Sequence, residues 1–142
     1  MIQILSGIQN STAALEAERT RLDVISENIA NVNTTRGPDG KPYQRQVVVF
    51  ESALQQAVGS GDQPQTPALR VARIVKDSRP PEMVYDPSNP DADGSGMVAM
   101  PNINIHEEMA DMIAASRAFE ANLAVIKNAR TMALQTLAIS KH

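Results

Sequence analysis

The chain has no cysteine and no tryptophan among its 142 residues, and aromatics make up only 3%. Without cysteine there is no disulfide, no thiol nucleophile and no cysteine-ligated metal. Two Phe and two Tyr supply little of the large buried area on which a thick globular core leans. No stretch approaches the ~20 consecutive apolar residues that span a bilayer. The first residues, Met-Ile-Gln-Ile-Leu-Ser-Gly, lack both a basic region and a long apolar run, so no cleavable signal peptide is expected. Either a cytoplasmic chain or one exported by a route that reads no cleaved signal is implied. The net charge of −3 comes without a basic cluster, which excludes the electrostatic footprint of a nucleic-acid binder.

What the sequence does contain is concentrated at its two ends. From Ile105 onward, Met109, Met112, Ser116, Phe119, Leu123, Ile126, Ala133 and Leu137 recur at alternating spacings of three and four. That pattern predicts the seam of a long helix made to lie against another helix, with Arg130 as its one charged position. Asn104 is a suitable N-cap and Glu107 its capping-box partner. Glu107, Glu108 and Asp111 near the start, with Lys127, Arg130 and Lys141 toward the end, complement the helix dipole. The first thirty residues carry a matching but weaker stripe. Met1, Ile8, Leu15, Leu22 and Ile29 stand seven apart; Ile4 and Ile25 fill alternate positions, and Ser11 and Glu18 interrupt it. A helix over residues 2–31 is expected, with Asn10-Ser11-Thr12 as a possible later start and Asn31 and Asn33 closing it.

Between the ends, residues 36–43 read as a loop with a Pro-Asp-Gly turn. Strands are expected at Gln44–Phe50, from Leu69 to about Lys76, at Met83–Tyr85 and at Met97–Met100, forming a small antiparallel sheet. Residues 59–67 read as a flexible Gly/Pro/Gln connection. The expected fold is mainly α with a small β part: two long terminal helices pair as a coiled coil around short antiparallel strands. The expected division is an axial helix in 1–34, a small β-rich middle in 35–101 and a second axial helix in 102–142. Two thin seams leave an outer face bare, and isolated helices of this kind are marginal in water. Frayed ends in the free chain, with burial completed by neighbouring subunits, follow from that.

Three constellations invite a chemical reading, and each has a plainer one. His106-Glu107-Glu108-Met109-Ala110 begins like a zinc-binding helix, but the second histidine position is Ala110. Asp91-Ala92-Asp93-Gly94-Ser95-Gly96-Met97-Val98 mimics a calcium loop. Its twelfth position is Asn102 rather than Glu, and Pro87 and Pro90 forbid the entering helix. An Asx/Gly turn is the simpler account. The two Gly-Ser-Gly triplets, 59–61 and 94–96, lack the flanks of a nucleophile elbow or a phosphate loop. No catalytic, cofactor-binding or metal-ligating residue is therefore expected, and neither is a cofactor or a small-molecule substrate. A soluble helical adaptor, a dimer holding a partner helix in its seam, is the competing class.

The run Ile25-Ser26-Glu27-Asn28-Ile29-Ala30-Asn31-Val32-Asn33-Thr34-Thr35 resembles the N-terminal signature of the bacterial flagellar rod and hook family. Further stretches resemble its proximal-rod members. They include Arg36, Pro38, Gly40, Pro42-Tyr43, Val48-Val49-Phe50-Glu51 and Val84-Tyr85-Asp86-Pro87. Pro90-Asp91-Ala92-Asp93, Gly96, the run from Val98 to Asn104, and that from Ala114 to Asn122 complete the match. The resemblance implies a structural, non-enzymatic subunit of the basal-body rod. It would be exported through the flagellar type III apparatus and polymerise by its terminal helices. Its implied partners are other copies of itself, the other proximal-rod proteins, the distal rod proteins and the export apparatus. By this analogy Ile8, Leu15, Leu22, Ile25, Ile29, Met109, Met112, Phe119, Leu123, Ile126, Ala133 and Leu137 carry packing within and between subunits. Asn28, Asn31 and Asn33 satisfy backbone groups where the helix turns outward.

Overall fold

A computed structural model describes residues 2–54 and 67–139 of the chain. The terminal helices dominate it: α1, Ile2–Ala30, and α2, Ile105–Ile139. Between them lie β1 (Gln46–Leu54), β2 (Pro67–Lys76), β3 (Glu82–Tyr85) and β4 (Met97–Met100). Most of the connection expected at 59–67, together with Met1 and Lys141, lies outside the described residues.

α1 runs through Ser11-Thr12 without a break. The Thr12 hydroxyl turns back to donate to the Ile8 carbonyl at 2.9 Å, as Thr20 and Ser26 do one turn before themselves. The Thr12 hydroxyl, part of the possible later start, is thereby absorbed by the helix's own carbonyl. The C-terminal end is closed by Asn31, whose Nδ2 donates to the Glu27 carbonyl at 2.9 Å. Its Oδ1 accepts from the Thr34 hydroxyl at 3.1 Å. At the start of α2, Asn104 Oδ1 accepts from the His106 backbone N–H at 3.0 Å, which is the N-cap bond expected from its position.

The middle is not one sheet. β1 pairs antiparallel with β2, from Gln46↔Lys76 to Leu54↔Pro67, and β3 pairs separately with β4, from Glu82↔Met100 to Tyr85↔Met97. β1 and β2, at nine and ten residues, are also longer than the expected runs. The β1–β2 register slips between Val49 and Phe50, which face Arg73 and Val71, so Ala72 is an extra residue in β2. Such a bulge bends a ribbon and increases its twist. α1 touches β1, β2 and α2, whereas α2 packs against no other described element than α1.

The two helices are antiparallel, because Arg21 reaches Asp111 while Asn28 reaches Glu108. The row of α2 turned toward α1 differs by one residue from the row read off the sequence. Met112, Phe119, Ile126 and Ala133 are half-buried as that spacing implies. Their alternates are Glu108, Ala115, Asn122 and Ala129, of which all but the half-buried Asn122 are buried. Met109, Leu123, Arg130 and Leu137 are exposed instead. Size and charge explain the shift. Alanines at the contact let two helix axes approach closely, and Arg130 keeps its guanidinium in water.

Gly96 occupies the left-handed region at φ +79°, and an added Cβ would lie 3.0 Å from Tyr85 Cε2 and 3.2 Å from Pro87 Cβ. Gly96→Ala is therefore expected to destabilise the β3–β4 hairpin by about 1–2 kcal/mol from backbone strain alone. Faster amide exchange at Val84 and Val98, with α1 unaffected, would measure it.

Candidate functional site

Two features set this chain apart from an ordinary helical hairpin: a buried polar hub at one end of the helix pair and a bare apolar surface along α2. The hub begins with Asn28 and Glu108, which are 1% and 0% exposed. Asn28 sits in the last turns of α1, where its amide copies a strand edge. Oδ1 accepts from the Gln46 N–H at 2.9 Å, and Nδ2 donates to the Gln46 carbonyl at 2.9 Å. The same Nδ2 donates to Glu108 Oε2 at 3.1 Å, and Oδ1 also accepts from the Tyr43 hydroxyl at 3.1 Å. One side chain thus ties α1, the first residue of β1 and the start of α2 together.

The other carboxylate oxygen of Glu108 is held by Arg45, whose Nε donates to Oε1 at 2.6 Å. Arg45 Nη1 lies 3.5 Å from Asp77 and Nη2 lies 3.8 Å from Asp111. Asp77 also takes Arg79 Nη2 at 2.9 Å, and Asp111 takes Arg21 Nη2 at 3.4 Å. The result is a ladder of alternating charge from Arg21 on α1, across α2, to the end of β2. Backbone bonds reinforce it: Asp77 N–H donates to the Arg45 carbonyl at 2.7 Å. Glu108 stands one turn from the N-cap, where the helix dipole favours a negative charge.

Titrating groups in the hub are displaced from their ordinary values, Asp77 and Tyr43 among them. The Asp77 carboxyl is held below 3.8, first by the Arg79 backbone N–H and then by the Arg79 side chain. The Tyr43 phenol is pushed above 10.0, first by burial and then by the nearby Glu27 carboxylate. It stays protonated at neutral pH and so remains a donor to Asn28. Farther along α1, Glu18 is buried, and its Oε2 has no hydrogen-bond partner among the described residues. The nearest cation is Arg21, at 3.9 Å.

An open groove of about 570 Å³ passes Tyr43, Arg45 and Asp77; the Tyr43 hydroxyl is taken up by Asn28, and Arg45 and Asp77 by each other. The loop that mimics a calcium site is closed by its own backbone. Asp93 Oδ1 accepts from Ser95 N–H, Ser95 Oγ and Met97 N–H at 2.8, 2.7 and 2.9 Å. That is an Asx turn, and it holds the Asp93 carboxyl below its ordinary value, the Ser95 hydroxyl bond being the largest cause. Among the described residues no cluster of three or more His, Asp or Glu is placed to hold a metal.

Along its length α2 leaves large apolar side chains in solvent: Met109, Ile113, Val125, Met132, Leu134, Leu137 and Ile139 are all more than half exposed. Of the residues expected to carry packing, Ile25 is buried, while Ile8, Leu15, Leu22, Ile29, Met112, Phe119, Ile126 and Ala133 are half-buried. Met109, Leu123 and Leu137 are exposed. Asn28 and Asn31 satisfy backbone groups at the helix exit, whereas Asn33 is exposed and makes no side-chain bond among the described residues. Sequence reading passed over Arg45, Asp77 and Arg79. Their partners lie 63 positions away in the case of Glu108 and are not a local pattern.

A family model described as flagella basal body rod protein matches residues 8–38, and one described as flagellar basal body rod FlgEFG protein C-terminal matches residues 95–139. The chain is 44% identical to the flagellar basal-body rod protein FlgC of Borreliella burgdorferi, over 96% of this chain and 97% of that one. It is 39% identical to the protein of that name from Yersinia enterocolitica, over 99% and 100% of the two chains. With the Bacillus subtilis protein of that name it shares 34%, over 92% and 94%.

Two tests follow from the hub. Arg45→Met leaves the Glu108 carboxylate buried with Asn28 as its remaining partner, and is expected to cost on the order of 3–5 kcal/mol. Adding Glu108→Leu should recover part of that loss, measured by urea unfolding of the single and double variants. The Asp77 carboxyl has a lower pKa in the folded state than in the unfolded state. Its contribution is therefore complete above the unfolded value of roughly 4 and is lost as pH falls through the folded one. Asp77→Asn should flatten the stability profile below about pH 4 while leaving its shape near neutrality unchanged.

Proposed function

The chain belongs to the FlgC family of flagellar basal-body rod proteins, and from that premise we propose that its working form is a polymer in which α1 and α2 of many copies share one helical wall. It is a structural subunit of the flagellar rod and resides in the basal body. The finer assignment, to the proximal rod beneath the distal rod proteins, rests on the similarity of the middle segment and of the two ends to its relatives.

The observation that carries the polymer is the bareness of α2. Helical residues advance by about 100°, so Leu123, Leu134 and Leu137 fall in one row and Val125, Met132 and Ile139 in another. The two rows flank the face covered by α1. A helix that is apolar on several sides is stable only when surrounded. One chain supplies a single neighbour, so the remaining rows need helices from other subunits. In that arrangement residues 1–34 and 102–142 act as the axial segments, wound as coiled coils, and 35–101 forms the part outside the wall.

Free subunits would have loosely held ends, because Gly7 weakens the first turns of α1 and the tail of α2 is exposed. This suits export through the flagellar type III apparatus, which threads unfolded chains. A chain without cysteine has no crosslink to break on the way. No catalytic step is needed: subunits exchange solvated apolar rows for buried ones, and the finished wall transmits torque. The adaptor reading has no feature of its own to set against this.

Leu123 is the sharpest probe, being already 36% exposed in the single chain. Leu123→Asp is expected to leave the soluble protein's helicity unchanged, abolish incorporation into basal bodies and stop swimming. Motile cells whose isolated basal bodies contain the variant would refute the role of this face.

A further inference from the structure

The two outer edges of the β3–β4 hairpin are not equivalent. The Asp86 N–H donates to the Gly96 carbonyl at 2.9 Å, and Tyr85 lies opposite Met97. Bonded and non-bonded pairs alternate along an antiparallel ladder. Val84 is therefore bonded to Val98, and the N–H and C=O of Met83 and Tyr85 point away from β4. On the far side of β4 the corresponding groups of Met97 are closed by a turn. Its N–H donates to Asp93 Oδ1 at 2.9 Å, and its carbonyl accepts from the Asp93 N–H at 2.8 Å. The outer side of β3 has no such cover. Among the described residues no hydrogen bond reaches Met83 or Tyr85 from that side, and β3 packs against no element but β4.

The side chains along this edge sort by face. Met83 and Tyr85 share one face and are 52% and 69% exposed. Glu82, Val84 and Asp86 share the other. From Pro80 to Asn104 the chain carries Glu82, Asp86, Asp91 and Asp93 and no Lys or Arg. Arg36 and Arg79, from flanking segments, are engaged with Asp91 at 3.0 Å and with Asp77 at 2.9 Å. Lys41 and Lys76 share a groove with Pro81, ahead of β3. Glu82, Asp86 and Asp93 are in no ion pair among the described residues.

We propose that the outer edge of β3 docks an extended segment of another protein, one in which apolar residues alternate with Arg or Lys. Its backbone takes up the unpaired N–H and C=O groups of Met83 and Tyr85 as an added strand. Its apolar residues lie beside Met83 and Tyr85. Its cations stand beside Glu82 and Asp86, where cross-strand pairs of opposite charge are favourable. A short, charged edge resists indiscriminate pairing, and the sign of its charge selects a basic strand. The inference concerns the middle of the chain and stands apart from the polymer reading, which rests on α2.

Amide exchange of the full chain, with and without a labelled octapeptide alternating valine and arginine, tests this. In the free chain Met83 and Tyr85 should exchange fast and Val84 slowly. The peptide should protect Met83 and Tyr85, and one alternating valine and glutamate should not. Affinity, read by fluorescence anisotropy, should weaken about tenfold or more between about 50 mM and about 500 mM salt, across which the screening length shrinks roughly threefold. Met83→Pro removes an outward N–H and leaves the β3–β4 ladder whole, so it should abolish binding. E82Q/D86N keeps the side-chain oxygens and should weaken binding by about tenfold. Slow exchange at Val84 and Val98 reports an intact hairpin in both variants. No protection at Met83 and Tyr85, equal binding of the glutamate peptide, or binding that survives Met83→Pro would overturn the proposal. Protection that rises with the concentration of the chain alone would also overturn it, by making a second copy the occupant.

Discussion

The enclosed carboxylate of Glu108 is the constraint around which this small protein is arranged. A charge taken wholly out of water is tolerated only when both oxygens are met by good partners. Here Asn28 and Arg45 meet them from two other segments of the chain. Each partner is fixed in turn: Asn28 by the backbone of Gln46, and Arg45 by Asp77 and Asp111. Satisfying one group therefore sets where α1 ends, how β1 leaves it and where α2 begins. With so few aromatics, no apolar core at this junction is large enough to do the same.

Polar fixation also specifies what apolar packing leaves loose. A greasy helix pair can slide by a turn and find nearly equal contacts, whereas a hydrogen-bonded amide and an ion pair cannot. In this chain the antiparallel register is set at the hub. The alanines of α1 and α2, Ala17, Ala115 and Ala129, then close along it without steric preference of their own. Glu18 acts in the same sense at a cost, since its buried Oε2 is unsatisfied in the single chain. A polar residue on a helical seam commonly trades stability for register.

The helices, their caps and the approximate strands were legible in the sequence because each is written locally. Periodicity gave α1 and α2 nearly to the residue, and Asn104 marked the start of α2. Which row of α2 meets α1 was not legible. The reading favoured large apolar residues such as Met109 and Leu123, while close approach favours Ala115 and Ala129. Hydrophobicity marks a residue for burial without naming the neighbour. The hub was visible in one member only: Asn28 stood out as a polar side chain at the helix end. Glu108 read as a dipole-compensating residue of the first turn, and nothing local connects it to Arg45. The separation of the middle into two hairpins was hidden for a similar reason, since strand partners are chosen by the return path of the chain.

On the polymer reading, the hub and the bare surface of α2 divide the labour of a subunit that has to exist both free and assembled. If the whole pair were closed by apolar contacts, the free chain would hide the surfaces that assembly uses and resist being threaded. If it were polar throughout, nothing would drive neighbours together. Confining the hydrogen-bonded hub to one end keeps the exit of α1 and the entry of α2 aligned in the isolated chain. On the polymer reading, the bare Met109, Ile113, Val125, Met132 and Leu137 along α2 hold the free energy of burial in reserve for neighbouring subunits. In such a polymer the helix would gain order and neighbours in the same step, which would make assembly cooperative: a subunit arriving at a growing end would find a partner already held straight, whereas two free subunits must both be ordered before either benefits.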